Sequence, residues 1–266
     1  MASANVDGVK IHYEDVGTGD PIVFQHGYTS AGEAWTRVVE RMRERHRCIV
    51  IDMRGTGQSD RPQGGYTIEQ MALDVLAVAD AAGLQRFTYV GHSMGGVVGM
   101  ELALTHAARL DKLVLVAPGS ADGMEVPAAV REASRQRWLA RDRDGIIRER
   151  VASTPRASAH AAIAAAVDHA LTVSVGHYED AWAALSEFRK GDRLTEIRTP
   201  TLVVAGASDG LLRANLRDFQ RLGNATLHVF SRVGHSVQRE VPDELAAVLE
   251  DFLAHGVVTA ETLARG

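Results

Sequence analysis

The sequence predicts an α/β fold in which a mostly parallel sheet is covered on both faces by helices. Six short apolar runs end at or close to Gly, Asp or Pro, as buried parallel strands do, and segments of helix length lie between most of them. The chain has 266 residues, 45% of them hydrophobic and 24% charged, which suffices for one large globular core.

The predicted strands and helices alternate from the start of the chain. A strand over residues 9–16 leads through a Gly-containing turn into the first buried strand. Buried strands are predicted over residues 21–25, 48–51, 87–90, 113–116, 201–204 and 227–230. Helices are predicted over residues 35–44, 67–82, 95–106, 211–222 and 243–255. The last ten residues, 257–266, carry no clear anchor and are expected to fray.

The interval 119–198 interrupts this alternation. It contains no strand pattern, is rich in Ala and Arg, and is too long for a structureless loop in a compact domain. Its aromatic residues at helix-like spacings are Trp138, Tyr178, Trp182 and Phe188. We therefore expect a core formed by residues 1–118 and 199–266, with a helical insertion at 119–198.

Composition and charge argue against several classes of function. The formal net charge is −5 and no basic stripe is present to neutralise phosphates, so we expect no nucleic-acid partner. The apolar runs are too short to cross a bilayer and the first residues lack a signal core, so we expect a cytoplasmic protein without a membrane partner. Cys48 is the single cysteine and is expected to be buried. The 11 histidines form no metal-binding motif, so no metal is expected.

The strongest functional motif is the sequence Gly91-His92-Ser93-Met94-Gly95, which lies where a predicted strand ends and a helix begins. A serine at such a sharp turn presents its hydroxyl above the sheet, and the flanking glycines remove side chains that would clash. The amide of Met94 lies at the helix N-terminus, where unpaired N–H groups and the helix dipole favour negative charge. The motif therefore predicts a nucleophilic Ser93 with the Met94 amide as an oxyanion donor.

A serine nucleophile needs a base, and the base needs a group that orients it. His235 follows the last predicted strand, and Asp209 follows the strand before it. Both positions are at the carboxyl ends of strands, the edge of an open α/β sheet where sites form. The chain order Ser, Asp, His is typical of one triad fold and differs from two others. The sequence thus predicts a triad of Ser93, His235 and Asp209.

A second oxyanion donor is expected in the loop after the first buried strand. Gly27 lets the backbone approach the site there, so that the amide of Tyr28 can point inward. Two donors matter because the loss of one from such a hole raises the barrier by about 3 kcal/mol. The residues expected to line the substrate pocket are Tyr28, Trp138, Trp182 and Val237.

From about residue 9 through residue 253 the chain resembles the α/β-hydrolase superfamily. Besides the triad motifs, the match includes the elements His26-Gly27, Asp52-Met53-Arg54-Gly55-Thr56-Gly57-Gln58-Ser59 and Gly234-His235-Ser236. The resemblance implies an α/β-hydrolase fold: a mostly parallel eight-stranded sheet with helices on both faces and a helical cap inserted after strand 6. The chain is similar to the group of small esterases, enol-lactone hydrolases, cofactor-free haloperoxidases and carbon–carbon bond hydrolases. Haloalkane dehalogenases and epoxide hydrolases of this shape carry Asp at the position of Ser93.

The resemblance leaves the triad acid with one alternative. Relatives commonly have a proline shortly after this Asp, whereas Gly210 and Leu211 follow Asp209 in this chain. Some members take their acid from the loop after the preceding strand, where this chain has Asp122. Asp122 is therefore the alternative to Asp209.

The other polar residues near the motifs are expected to be structural. His26 is expected to form a hydrogen bond with the backbone, and His92 to lie beneath the Ser93 turn. Asp52 and Arg54 are expected to pair and to hold their loop.

The residues and the resemblance imply a serine hydrolase that cleaves a small apolar ester or lactone through an acyl-enzyme and needs no cofactor. The same triad can cleave carbon–carbon bonds in vinylogous diketones or make peracids from carboxylates and peroxide. A hydrolase fold can also serve as a ligand receptor with a silent triad. The sequence distinguishes neither the substrate nor the oligomeric state.

Overall fold

Eight strands form a single sheet in the computed structural model, which describes residues 2–258 and residue 263. The strands are β1 (Ala2–Val6), β2 (Val9–Val16), β3 (Asp20–Gln25), β4 (His46–Ile51), β5 (Phe87–His92), β6 (Leu110–Val116), β7 (Thr201–Gly206) and β8 (Ala225–Phe230). The α-helices are α1 (Thr36–Met42), α2 (Ile68–Ala81), α3 (Met94–Thr105), α4 (Ala128–Leu139), α5 (Arg143–Ala152), α6 (His160–Ala170), α7 (Val175–Glu187), α8 (Leu212–Arg221), α9 (Val237–Glu240) and α10 (Pro242–His255).

The strand order in the sheet is β1-β2-β4-β3-β5-β6-β7-β8. The six strands from β4 to β8 in this order are parallel to one another. β2 runs antiparallel to β4, and β1 runs antiparallel to β2. The predicted eight-stranded, mostly parallel sheet is confirmed. Because β3 to β8 are parallel, the loops that follow them emerge at the same edge of the sheet.

Two apolar layers cover the sheet, one on each face. Successive side chains of a strand point to opposite faces. In β3, Ile22 and Phe24 therefore pack with α1 and α10, whereas Val23 packs on the other face with α2 and α3. Burial on both faces explains why the parallel strands have continuous apolar sequences rather than alternating ones.

The predicted strands and helices are all present, with ends shifted by at most three residues, but β1 has no counterpart among them. Its sequence, Ala-Ser-Ala-Asn-Val, is small and polar and lacks an apolar run. β1 forms a hairpin with β2 through Asp7 and Gly8, which have φ angles of 50° and 85°. An Asp-Gly pair with two positive φ angles is the preferred two-residue hairpin turn, so this dipeptide was the available signal for the missing strand.

Residues 119–198 lie between β6 and β7, and in this described segment they form α4 to α7 and short 3₁₀ turns without a strand. α5 and α6 share a small apolar cluster around Ile163, Val167 and Leu171. The side chain of Trp138, on α4, packs against the same cluster. These helices lie over the edge of the sheet at which β6 ends, where α7 contacts the loop that follows β3.

The expected pairing of Asp52 with Arg54 is wrong. Arg54 instead forms a two-pronged ion pair with Asp74 on α2, at 2.7 and 2.6 Å, and each side chain is only 4% exposed. The Asp52 carboxylate accepts hydrogen bonds from the amides of Gly32 and Gln58 at 2.8 and 2.9 Å. The two side chains diverge because Arg54 pairs with Asp74, whereas Asp52 is held by these amides and by Nδ1 of His12 at 3.1 Å.

Among the described residues no single helix is long and apolar enough to cross a bilayer. The segments Ala157–Ala170 and Val175–Glu187 pass the length and composition test only as a pair, with a bend of 107° between them.

The expected fraying of residues 257–266 falls mostly outside the described residues. Of this segment the structure describes residues 257, 258 and 263. Val257 packs against the apolar layer that contains α10.

The buried pair of Arg54 and Asp74 makes a stability prediction. Asp74→Asn should lower the free energy of unfolding by about 3 kcal/mol, because it leaves the Arg54 charge buried without a carboxylate. The matched control is Asp111→Asn, which removes the carboxylate of the exposed pair with Arg86 and should cost less than about 1 kcal/mol. Urea unfolding followed by circular dichroism measures both values. Equal losses in the two variants would contradict the importance given to the buried pair.

Candidate active site

Ser93 lies at the turn between β5 and α3 in a strained backbone conformation, with φ 53° and ψ −114°. A positive φ is unfavourable for a residue with a side chain and persists only where surrounding contacts enforce it. Here the amide of Ser93 donates to the carbonyl of Val116 at 3.0 Å, and its carbonyl accepts from the amide of Gly119 at 3.0 Å. The strand end and the loop after β6 thus hold Ser93 in this geometry.

The glycines on either side of Ser93 are required by close backbone approach. A Cβ on Gly91 would collide with the carbonyl of Gly95. A Cβ on Gly95 would lie 2.6 Å from the carbonyl oxygens of both Gln25 and His26. The turn therefore presses the start of α3 against the end of β3, which brings the Ser93 hydroxyl next to the loop that follows β3.

Ser93, His235 and Asp209 form a continuous hydrogen-bonded chain. His235 Nε2 lies 3.0 Å from Ser93 Oγ, and His235 Nδ1 lies 2.8 Å from Asp209 Oδ2. With the proton on Nδ1 donated to the carboxylate, Nε2 has a free lone pair that accepts from the serine hydroxyl. Ser93 is 8% exposed and the His235 side chain is 39% exposed, so the imidazole is accessible while the serine is recessed.

Asp209, and not Asp122, contacts the histidine. The Asp209 side chain is 4% exposed, and its other oxygen accepts from the amide of Leu211 at 3.0 Å. Burial alone would raise the pKa of Asp209, but the hydrogen bond and charge of His235 hold it below its ordinary value. Asp122 is engaged elsewhere, by both of its oxygens to Arg221 at 2.9 and 2.8 Å. In this structure Asp122 therefore has no contact with His235, whereas Asp209 does.

Two backbone amides lie close to the serine. Met94 is the first residue of α3, and Tyr28 lies in the loop after β3. Among the described residues neither amide has a hydrogen-bond acceptor, as an oxyanion site requires. Gly27 makes the approach possible, because a Cβ there would lie 2.9 Å from both His92 Nδ1 and the Cβ of Ser93.

His26 holds this loop through its backbone, as expected. Its Nδ1 donates to the carbonyl of Gly27 at 2.8 Å, and its Nε2 accepts from the amide of Met53 at 3.0 Å. Burial lowers the pKa of His26, which keeps the imidazole in the neutral form that one donor and one acceptor require.

His92 supports the candidate base. Its Nε2 donates to the backbone carbonyl of His235 at 2.9 Å, and the two rings lie 4.9 Å apart. Burial and the neighbouring His235 lower the pKa of His92 to about 3, so His92 stays neutral at physiological pH. It is structural, as predicted, and it fixes the loop that carries His235.

His177 is a positioning residue that the sequence did not reveal. This fully buried side chain of α7 accepts from the amide of Thr29 at 3.2 Å and donates from Nδ1 to the carbonyl of Arg54 at 3.1 Å. Its ring is stacked on Tyr28, with 5.6 Å between centroids. Burial lowers the pKa of His177 to about 3, consistent with this neutral bridge. In the sequence His177 occupies a position on α7 like that of any buried helix residue, and it belongs to no recognisable motif.

A cavity of about 770 Å³ opens at Ser93 and His235. Tyr28 and Trp182 line it, as expected from the sequence. The expectation is wrong for Trp138 and Val237. Trp138 is stacked on Tyr178 and donates from Nε1 to the carbonyl of Ala170 at 3.0 Å, and Val237 is fully buried in the layer that contains α10. Each of the two side chains packs against a neighbouring element rather than facing the cavity.

The cavity wall also contains charged residues that the sequence did not single out. Arg150 on α5 and Arg239 on α9 line it. Arg239 pairs with Glu33 at 2.6 Å, whereas the recorded contact of the Arg150 guanidinium is a weak one of 3.5 Å to the hydroxyl of Thr29. Because the insertion is rich in arginine, the sequence contains no sign of which one faces inward.

The arrangement is suited to nucleophilic chemistry at a polarised carbon. It combines a hydroxyl, an imidazole in contact with it, a buried carboxylate and two amide donors. In the part of the chain that the structure describes, no group of three or more His, Cys, Asp or Glu side chains is placed to hold a metal ion.

Comparison with known proteins agrees with the fold. The family model of the alpha/beta hydrolase fold matches residues 20–155. RutD of Caulobacter sp. (strain K31), a putative carbamate hydrolase, is 31% identical over 96% of this chain and 98% of its own length. A 2-hydroxy-6-oxononadienedioate/2-hydroxy-6-oxononatrienedioate hydrolase of Paraburkholderia xenovorans (strain LB400) is 31% identical over 93% of this chain and 91% of its own.

One solved structure extends this likeness to three dimensions. Est816, described as an N-acyl homoserine lactone degrading enzyme, has a TM-score of 0.83 and 31% sequence identity, covering 94% of this chain and all of that one. The family match, the full-length relatives and the eight-stranded sheet agree with the resemblance inferred from the motifs. The chain therefore belongs to the α/β-hydrolase family.

Proposed function

We propose that the protein is a serine hydrolase that cleaves a carboxylic ester or a lactone. The single observation that carries the proposal is the 3.0 Å contact between Ser93 Oγ and His235 Nε2 at the opening of a cavity large enough for a small molecule. The strained backbone of Ser93 adds support, because strain of this kind persists where function requires it.

In the proposed first step Ser93 Oγ attacks the carbonyl carbon while His235 Nε2 takes the hydroxyl proton. The carbonyl oxygen gains negative charge and accepts hydrogen bonds from the amides of Tyr28 and Met94. Asp209 keeps the proton of His235 on Nδ1 and stabilises the imidazolium that forms. His235 then protonates the leaving oxygen, which yields an acyl-enzyme and the released alcohol.

In the second step water attacks the acyl-enzyme and His235 removes a proton from this water. The same amides hold the second oxyanion, and the collapse of this intermediate returns the proton to Ser93 and releases the acid. For a lactone, alcohol and acid leave as one hydroxy acid. Every proton passes between side chains of the chain and the reactants, so the proposed cycle runs without a cofactor.

We favour ester and lactone cleavage over the other reactions of this family, because it requires only the triad, the two amide donors and water. Cleavage of a carbon–carbon bond has to release a carbon leaving group instead of an oxygen, and formation of a peracid requires peroxide as a second substrate. The relatives are named as a putative carbamate hydrolase, a dienedioate/trienedioate hydrolase and an N-acyl homoserine lactone degrading enzyme, and the last of these names a lactone. A panel of p-nitrophenyl esters, lactones, a carbamate, a ring-fission product and a peroxide assay separates these activities.

Replacement of the nucleophile is the direct test. Ser93→Ala should lower kcat for ester hydrolysis about 10⁴- to 10⁶-fold, because only the oxyanion donors and substrate binding remain. The measurement is p-nitrophenolate release by purified wild type and variant, with circular dichroism to establish that the variant is folded. Substantial hydrolysis by a folded Ser93→Ala protein would refute the proposal.

Covalent labelling separates an enzyme from a receptor with a silent triad. A fluorophosphonate should label wild type stoichiometrically at Ser93 and should not label Ser93→Ala, as expected for an activated serine. A wild type that resists labelling but binds a specific ligand without turnover would favour the receptor.

The role of the acid is tested by two matched amide substitutions. Asp209→Asn should lower kcat about 10⁴-fold, because the amide no longer fixes the Nδ1 proton of His235. Asp122→Asn should leave kcat within about threefold of wild type, since Asp122 pairs with Arg221 and not with the histidine. Steady-state kinetics on one ester gives both values. A large loss in Asp122→Asn with little change in Asp209→Asn would reverse the assignment.

A further inference from the structure

Arg150 is a charged residue in the cavity wall for which the proposed reaction has no use. It lies in the last turn of α5 and lines the same cavity as Ser93 and His235. A guanidinium has five N–H donors, and the recorded hydrogen bond of Arg150 is a single 3.5 Å contact to the hydroxyl of Thr29. No carboxylate of the described residues forms an ion pair with it.

The two acids whose charges act on Arg150, Glu149 and Glu33, are paired with other arginines. Glu149 contacts Arg137 at 2.5 Å, and Glu33 contacts Arg239 at 2.6 Å. Burial, together with the neighbouring positive charge of Arg239, lowers the pKa of Arg150. An arginine nevertheless keeps its charge at neutral pH. A cation on the cavity wall is therefore poorly compensated by the protein itself.

Thr29 connects this cation to the candidate reaction centre. Its hydroxyl is the contact of the Arg150 guanidinium, and its amide is held by His177, next to the Tyr28 amide proposed as an oxyanion donor. The loop after β3 thus contributes the Thr29 hydroxyl beside Arg150 and the Tyr28 amide beside Ser93. An acidic group bound at Arg150 would lie in the same cavity as a carbonyl bound at Ser93.

We infer that the substrate carries a carboxylate in addition to the bond that is cleaved, and that Arg150 and the Thr29 hydroxyl bind this carboxylate. Planar guanidinium groups match carboxylates with two parallel hydrogen bonds. One uncompensated cation suits a monoanion better than a phosphate monoester, which carries about −1.5 to −2 charges at pH 7. The inference rests on the proposed hydrolase function and replaces the purely apolar substrate expected from the sequence.

Two pairs of esters test the inference, because the carboxylate could be in the acid or the alcohol part. Monoethyl adipate is compared with ethyl hexanoate, and para-acetoxybenzoate with its methyl ester. Arg150→Met should lower kcat/KM about 10- to 100-fold for the anionic member of at least one pair, the usual worth of a charged hydrogen bond. The neutral members should change less than about twofold. Arg150→Lys, which keeps the charge but not the planar fork, should recover part of the loss.

The matched control is Arg148→Met, on the exposed face of the same helix. It should leave both members of each pair unchanged, and circular dichroism melting establishes that every variant is folded. If Arg150→Met changes the anionic and neutral esters equally, or changes neither, the carboxylate site is refuted while ester hydrolysis stands.

A binding measurement keeps the inference testable if wild type hydrolyses none of these esters. Calorimetric titration of Ser93→Ala with monoethyl adipate and with para-acetoxybenzoate should detect binding of at least one, weakened about tenfold or more by the added Arg150→Met. Absence of binding, or binding that Arg150→Met does not weaken, would overturn the carboxylate site. Failure of hydrolysis with this binding intact would overturn only the proposed function.

Discussion

The close contact between the turn at Ser93 and the end of β3 determines how the rest of the site is assembled. Only a glycine at position 95 lets the start of α3 press against the carbonyls of Gln25 and His26. This contact sets the spacing between the Ser93 hydroxyl, the Met94 amide and the Tyr28 amide. The parallel strands then deliver Asp209 and His235 to the same edge of the sheet, because each follows a strand that ends there.

The features that depend on local pattern could be predicted from the sequence. Buried parallel strands have continuous apolar runs, and Ser93 is marked by glycines whose absence would cause collisions. The contact of Asp209 with His235 follows from strand order, which a topology rule can supply. β1 was not predicted, because a strand at the edge of a sheet can consist of small polar residues. Its local signal in the sequence was the Asp7-Gly8 turn.

Features that depend on contacts between distant segments could not be predicted in this way. His177 meets Thr29 across nearly 150 positions of chain, and helical periodicity shows only that such a residue is buried, not what it contacts. Arg54 likewise pairs with Asp74 on α2 and not with Asp52, which is close to it in sequence. Trp138 and Arg150 both belong to the insertion, and only its folded path turns the tryptophan toward Tyr178 and the arginine toward the cavity.

His177 links the insertion to the core, because it accepts from the Thr29 amide and donates to the Arg54 carbonyl. This link limits the exchange of insertions between members of the family. A chimera whose residues 119–198 came from another protein would lose His177, the acceptor of the Thr29 amide. The loss is avoided only if the other protein has an acceptor at the same point. A buried amide without an acceptor costs about 1 to 3 kcal/mol, and the loop that carries Tyr28 would shift to find water. The chimera would then have a new cavity wall but a displaced loop next to Ser93. A successful exchange therefore has to include this histidine or a replacement for it.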